Sequence, residues 1–166
     1  AVRNYRNALV APPAPTPRAS SLPKPVAKGN YALEFDGEAS YLQLSNPGYD
    51  DSQPLTLEAW LEVTDPGEGT VFSDTAGAGV SMRTAEGSVR FTLHGDDGDV
   101  SVEAPHPLDC PFHVAAIYSG EDIQIYVDGF LKAGPVPAPD GFRPSRMPLI
   151  LGGTPASGGG VMNPFE

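Results

Sequence analysis

The sequence predicts an all-β protein, a sandwich or a barrel of short antiparallel strands, on three observations. Apolar and polar residues alternate with a period of two in stretches such as "LTLEAWLEV" and "DIQIYV", which is the signature of a strand with one buried face. Gly and Pro contribute 19 residues each to a chain of 166, and that much turn chemistry suits many short strands with frequent reversals. No stretch carries an apolar stripe at the 3.6-residue period of a helix.

The elements follow in order. Residues 1–29 read as a Pro-rich linker or tail: "APPAPTPRASSLPKP" has the composition of an extended tether, and its prolines cannot donate to a ladder. The globular domain is assigned to residues 30–166. "YALEFDGEASYLQL" reads as its first strand, with FDG marking a strand end. In "LTLEAWLEV", Leu55, Leu57, Ala59, Leu61 and Val63 face one way, and Thr56, Glu58, Trp60 and Glu62 the other. "SVRFTLH" and "DVSVEA" flank "GDDG", a hairpin loop, and "FHVAAIY" and "DIQIYV" are joined by "SGE". Asp128 and Gly129 in "VDGF" stand where a type I′ turn takes positive φ. "MPLILGG" supplies another buried strand, and Phe35, Leu55, Leu57, Leu61, Val114, Ile123, Ile125, Val127 and Ile150 are expected to form the inter-sheet core.

Composition narrows the function. A formal charge of −11 argues against nucleic acid and anionic membranes as partners, because no basic patch exists to release counterions. Cys110 is the single cysteine, so an internal disulfide and a CxxC-type metal site are both ruled out. His94, His106 and His113 lack the short spacings of a zinc site. No apolar run reaches the length of a membrane span, and no targeting signal is visible in this segment. The chain opens on Ala1 without an initiator Met, which reads as a piece of a longer multidomain protein.

The blocks "YALEFDGEASYLQL", "PLTLEAWLEV", "FHVAAIYSGEDIQIYVDGFLKAG" and "PLILGG" occur in an order that resembles the laminin G-like, concanavalin A-like lectin/glucanase jelly roll, in its bacterial, pentraxin-like branch. The resemblance covers about residues 31–153. It implies a two-sheet antiparallel jelly-roll β-sandwich and an extracytoplasmic setting, secreted, periplasmic or cell-surface. Three departures stand out. Pro111, Phe112, His113 and Val114 replace the family's Trp-His-His-Val, Ser40 precedes Tyr41 where an acid is usual, and the chain stops at "NPFE" before the family's closing strand. The domain is therefore expected to lack that strand and to self-associate through an open sheet edge.

Within this resemblance, function has three readings. The first is a non-catalytic recognition module for carbohydrate or a protein surface. If the polar faces of "LTLEAWLEV" and "DIQIYV" belong to one sheet, Trp60 and Tyr126 could stack a sugar while Gln124 and Glu58 bond its hydroxyls; the rival is that Trp60 packs under a loop or the linker. The second is a glycoside hydrolase. Glu34, Asp36 and Glu38 have the E-x-D-x-E spacing of retaining glucanases, with the outer pair as nucleophile and acid on an unbroken strand, but Gly37 turns Glu38 away and Trp60 is the sole Trp, so no catalytic residue is assigned. The third is a passive structural spacer. The resemblance also implies a structural calcium in the intact parent, with Asp36 as one ligand among the six to eight oxygens the ion takes. The cluster Asp96, Asp97 and Asp99 lacks the spacing of an EF-hand and reads as a polar hairpin loop.

Overall fold

A computed structural model of the chain describes residues 32–50, 53–156 and 160–165. The linker assigned to residues 1–29 lies outside them. The chain separates into two units, residues 1–34 and 35–166, and the described residues of the first carry no strand.

The second unit is all-β. Its strands are β1 Leu42–Leu44, β2 Leu55–Leu61, β3 Gly69–Ser73, β4 Val80–Ala85, β5 Ser88–Gly95 and β6 Gly98–Pro105, followed by β7 Phe112–Tyr118, β8 Asp122–Val127, β9 Phe130–Pro137, β10 Leu149–Leu151, β11 Thr154–Pro155 and β12 Val161–Met162. They form a six-stranded antiparallel sheet in the order β1-β10-β3-β4-β5-β6, a four-stranded sheet β2-β7-β8-β9, and a small β11-β12 pair. The two large sheets make a sandwich. Among the described residues no helix is long and apolar enough to cross a membrane.

Alternation explains how the sheets meet. On β4, β5 and β6, Val80, Met82, Val89, Phe91, Leu93, Val102 and Ala104 are buried, and they meet Leu61, Val114, Ala116, Ile123, Ile125 and Val127 from the opposite sheet. Each of these fills one inward position of a period-two strand, so a single-residue slip would carry the whole set into water. Leu55, Leu57 and Phe35 pack against this core while only partly buried, as befits an edge strand and a loop.

Turn chemistry fixes the register. Asp128 and Gly129 have φ of 51° and 78°, the positive values that a two-residue β-hairpin needs. Glu86 and Gly87 do the same between β4 and β5, with φ of 51° and 76°.

Two local expectations change. The stretch 32–41 is not a strand. Residues 37–39 form a bend and β1 begins only at Leu42, because Gly37 turns the chain at φ 67°. On β10, Leu149 and Leu151 pack toward the core, whereas Ile150 pairs with Ser73 and is buried on the outer side; a strand covered on both faces offers no alternation to read. At the C-terminal side, Gly37 N–H donates to the Phe165 carbonyl at 3.2 Å and Thr70 N–H to that of Asn163 at 3.2 Å. Phe165 packs edge-on to Phe35, ring centroids 6.2 Å apart, so residues 161–165 lie beside the first loop and β3.

Candidate functional site

β2, β7 and β8 place the sequence-predicted binding residues on one surface, the outer face of the four-stranded sheet. The register puts Glu58 opposite Ala115 and Ala115 opposite Tyr126, with Thr56, Ile117 and Gln124 forming the next row. Trp60 stands opposite His113 at the end of the same face. Trp60 is 73% exposed, so it does not pack into a satellite core. Its ring tilts against that of His113 at a centroid distance of 5.4 Å, and His113 Nε2 lies 3.5 Å from Glu58 Oε2. On β8 the Tyr126 hydroxyl donates to Gln124 Oε1 at 3.0 Å, and Gln124 Nε2 donates to Asp122 Oδ1 at 3.0 Å. Since β7 separates β2 from β8, and Trp60 lies two residues along from the Glu58–Ala115–Tyr126 row, Trp60 and Tyr126 stand about 12 Å apart on the diagonal, at nearly 5 Å per strand and about 3.4 Å per residue. That spacing suits two rings along an oligosaccharide better than the two sides of one ring.

Asp36 sits in the loop before β1. Its Oδ1 accepts the backbone N–H groups of Glu38, Ala39 and Ser40, each at 2.9 Å, and the Ser40 hydroxyl at 2.8 Å. These donors, first the Ser40 N–H, hold its carboxyl far below the usual carboxylate range. The carboxylate is thus the organiser of a turn. Glu34 and Glu38 are both exposed and outside any strand, so the alternation that aligned an E-x-D-x-E set does not operate. Among the described residues, no group of three or more His, Cys, Asp or Glu side chains gathers as a metal cage. In the β5–β6 hairpin the acids turn to separate partners: Asp96 Oδ1 lies 3.4 Å from Arg143 Nε, and Asp99 Oδ1 lies 2.7 Å from His94 Nδ1.

A second surface was not anticipated from the sequence. The outer face of β4, β5 and β6 forms a trough of about 350 Å³, lined by Ser81 and Arg83 on β4, Arg90, Thr92 and His94 on β5, and Asp99, Ser101 and Glu103 on β6. Cross-strand pairs knit its floor. Arg90 donates from Nε and Nη2 to Glu103 Oε2 at 2.9 and 2.6 Å, the Thr92 and Ser101 hydroxyls are 2.8 Å apart, and His94 meets Asp99. The Arg90 bonds pull the Glu103 carboxyl below its ordinary value.

The rim of the trough is fixed by Asp74, which follows β3 and is fully buried. Its Oδ2 accepts the Tyr49 hydroxyl at 2.6 Å and its Oδ1 the Val80 N–H at 2.8 Å, while its own carbonyl accepts the Ser145 hydroxyl at 2.5 Å. Burial raises both acids, Asp74 and Tyr49, above their ordinary values. Gly79 is required beside them: at φ 97° a Cβ would run into the Asp74 carboxylate and Ser145.

Comparison with known proteins identifies the fold. A laminin G-type family model, described as the concanavalin A-like lectin/glucanases superfamily, matches residues 36–165. Among solved structures, domains LG4-5 of the mouse laminin alpha1 chain match with a TM-score of 0.58 and 19% identity, over 74% of this chain and 33% of that one. The botulinum neurotoxin serotype D binding domain matches with a TM-score of 0.59 and 11% identity, over 70% of this chain and 33% of that one. A structure of the serotype D ligand binding domain in complex with N-acetylneuraminic acid gives 0.55 and 12%, over 67% and 31%. The chain thus spans about a third of the length of these structures, and at such identity the likeness speaks to fold. No curated protein matches the chain. With the family match running from the Asp36 turn to Phe165 and the two-sheet sandwich between them, the chain belongs to the concanavalin A-like lectin/glucanase superfamily as a laminin G-like domain.

Proposed function

We propose that this domain is a non-catalytic recognition module that binds carbohydrate through the outer face of its four-stranded sheet, as part of a longer extracytoplasmic protein. The exposure of Trp60 carries this reading. A large aromatic standing in water on an otherwise polar strand face contributes nothing to the core, and a flat indole beside hydroxyl- and amide-bearing neighbours is the chemistry that grips a sugar's apolar face while bonding its rim. Glu58, Gln124 and Tyr126 supply those polar groups, and the Tyr126–Gln124–Asp122 chain of hydrogen bonds holds two of them in fixed orientations. One matched structure, the botulinum neurotoxin serotype D ligand binding domain, is solved in complex with N-acetylneuraminic acid, and this chain spans 31% of it.

The test is a glycan array followed by calorimetry on the hits, with wild type and Trp60→Ala. Saturable binding to an oligosaccharide, weakened at least tenfold by the substitution, is expected; a tenfold loss corresponds to about 1.4 kcal/mol. Absence of binding to any glycan, or an affinity indifferent to Trp60, would reject this assignment. Capture of a protein that depends on Trp60 would instead move the site to protein recognition.

A further inference from the structure

Charge is distributed differently on the two sheets. On the six-stranded sheet and its loops, carboxylates stand against guanidiniums: Glu103 meets Arg90, Asp96 meets Arg143 and Glu68 meets Arg83. The sheet that carries Trp60 has no such matching. Its strands β2, β7 and β8 hold two carboxylates, Glu58 and Asp122, and neither Lys nor Arg. The turn after β8 adds Asp128, whose Oδ1 accepts the His113 N–H at 2.8 Å. On β9 the single cation is Lys132, and its Nζ stands over the Phe130 ring, 5.8 Å from the centroid. Glu58 is 63% exposed, and among the described residues its one ionic neighbour is the His113 ring nitrogen at 3.5 Å. An ionised carboxylate only accepts hydrogen bonds. The face around Trp60 therefore favours donors and positive charge, and a chain of net charge −11 draws cations toward it.

Resting on the carbohydrate reading above, we infer that the ligand of this face is a cationic amino sugar, an oligosaccharide of the glucosamine type, stacked on Trp60 with its ammonium turned to Glu58. Glu58 and Trp60 lie two residues apart on one face of β2, about 7 Å along the strand. A ring lying on the indole thus has the Glu58 carboxylate at its edge, where the amine beside the anomeric carbon projects. There the ammonium meets a carboxylate and the electron-rich face of an indole together, and both favour positive charge. On β8 the Tyr126–Gln124–Asp122 chain of hydrogen bonds repeats the pairing of an aromatic with an acid. Exposed ion pairs are individually weak, so the preference comes from two acids and the indole acting together. The same charge ranks the alternatives. A hydroxyl in place of the amine keeps a donor and loses the Coulomb attraction. An acetylated amine loses the charge and brings a carbonyl, one more acceptor among acceptors. A carboxylated sugar such as N-acetylneuraminic acid would add a negative charge beside Glu58, Asp122 and Asp128, and like charges repel.

The experiment is a calorimetric and NMR titration of the full chain, at matched ionic strength and at a pH where the ligand amines are protonated. The probes are a β-linked glucosamine tetramer, cellotetraose, the N-acetylglucosamine tetramer, N-acetylneuraminic acid and tetralysine. The first three share one backbone and differ only in the group beside the anomeric carbon. The glucosamine tetramer is expected to bind saturably and at least tenfold tighter than any other probe, with perturbed resonances centred on β2, β7 and β8. Trp60→Ala should weaken it at least tenfold. Glu58→Gln keeps the shape of the side chain and removes its charge, and should cut the preference over cellotetraose to less than about threefold. Asp97→Asn makes the same change of net charge on the distant β5–β6 hairpin and should leave that preference intact. Tetralysine matching the glucosamine tetramer, a preference that survives Glu58→Gln, or equal erosion by Asp97→Asn would each overturn the inference, because charge at large would then explain the binding. Cellotetraose or the acetylated tetramer bound through Trp60 as tightly as the amino sugar would overturn it while leaving the carbohydrate reading in place. Tighter binding of N-acetylneuraminic acid, or no saturable binding of the glucosamine tetramer, would overturn it as well, and the glycan array then decides the broader reading separately.

Discussion

The Tyr49–Asp74 contact is the interaction whose removal has the most calculable effect. Tyr49 reaches Asp74 from the β1–β2 connection, and the same carboxylate takes the first N–H of β4. Tyr49→Phe deletes one hydrogen bond to a buried acid, a loss of about 1.5–3 kcal/mol. Asp74→Ala leaves both the Tyr49 hydroxyl and the Val80 N–H unpartnered, at about 1–3 kcal/mol each, and recovers part of this by sparing a carboxyl its burial, for a net loss of about 2–4 kcal/mol. In the double variant the two losses overlap by the one shared bond, so the coupling energy should be about 1–2 kcal/mol. Urea unfolding of the four proteins, followed by far-ultraviolet circular dichroism, measures it directly. A coupling below about 0.5 kcal/mol would show that the 2.6 Å contact adds nothing to the folded state, and the argument that Asp74 fixes the trough's rim would fail with it.

Three further outcomes are expected. Ile125 is wholly buried between Ala116 and Ala133 on the neighbouring strands, residues too small to refill a cavity, so Ile125→Ala should lose about 4 kcal/mol and Thr56→Ala less than about 0.5 kcal/mol by the same unfolding assay; similar losses would contradict the assigned strand faces. Asp36 has a carboxyl held below its ordinary 3.8, so it contributes stability above that pH and the contribution is lost as pH falls toward the depressed folded value. The stability advantage of wild type over Asp36→Asn should accordingly shrink between about pH 5 and about pH 2, and an advantage that grows with acid would refute the turn-organising role. Finally, wild type should release no reducing sugar from a β-glucan; hydrolysis abolished by Glu34→Gln or Glu38→Gln would restore the glycosidase reading.

What the sequence makes legible is what a single strand can display. β2 and β8 alternate over seven and six residues, so which face of each is polar follows from period two, but that Glu58 and Trp60 share a surface with Gln124 and Tyr126 depends on the pairing of β2 with the non-consecutive β7. β3 is buried at every position, which removes the alternation that would have marked it, and Ile150 misleads for the same reason. The trough is a lateral object. Ser88, Arg90, Thr92 and His94 do alternate along β5, and Asp99, Ser101 and Glu103 along β6, so the polar face of each strand is there to be read. That Arg83 meets Arg90 is a matter of register between strands, set by the Glu86–Gly87 turn, and only the assembled sheet displays it. The Glu34–Asp36–Glu38 spacing misleads in the opposite sense, because a backbone turned at Gly37 voids the arithmetic of a straight strand.

The position of Trp60 has a practical side. The chain has one tryptophan, and it stands in solvent against His113 and away from the core. Its intrinsic fluorescence should therefore start red-shifted in the native protein and change little on unfolding, which makes it a poor optical gauge of stability. The same placement makes it a sensitive one for occupancy: a molecule laid on the four-stranded sheet would shift the emission toward the blue, while one held in the trough would leave it still. A single emission spectrum can thus tell which face of the sandwich has been engaged, with no label attached.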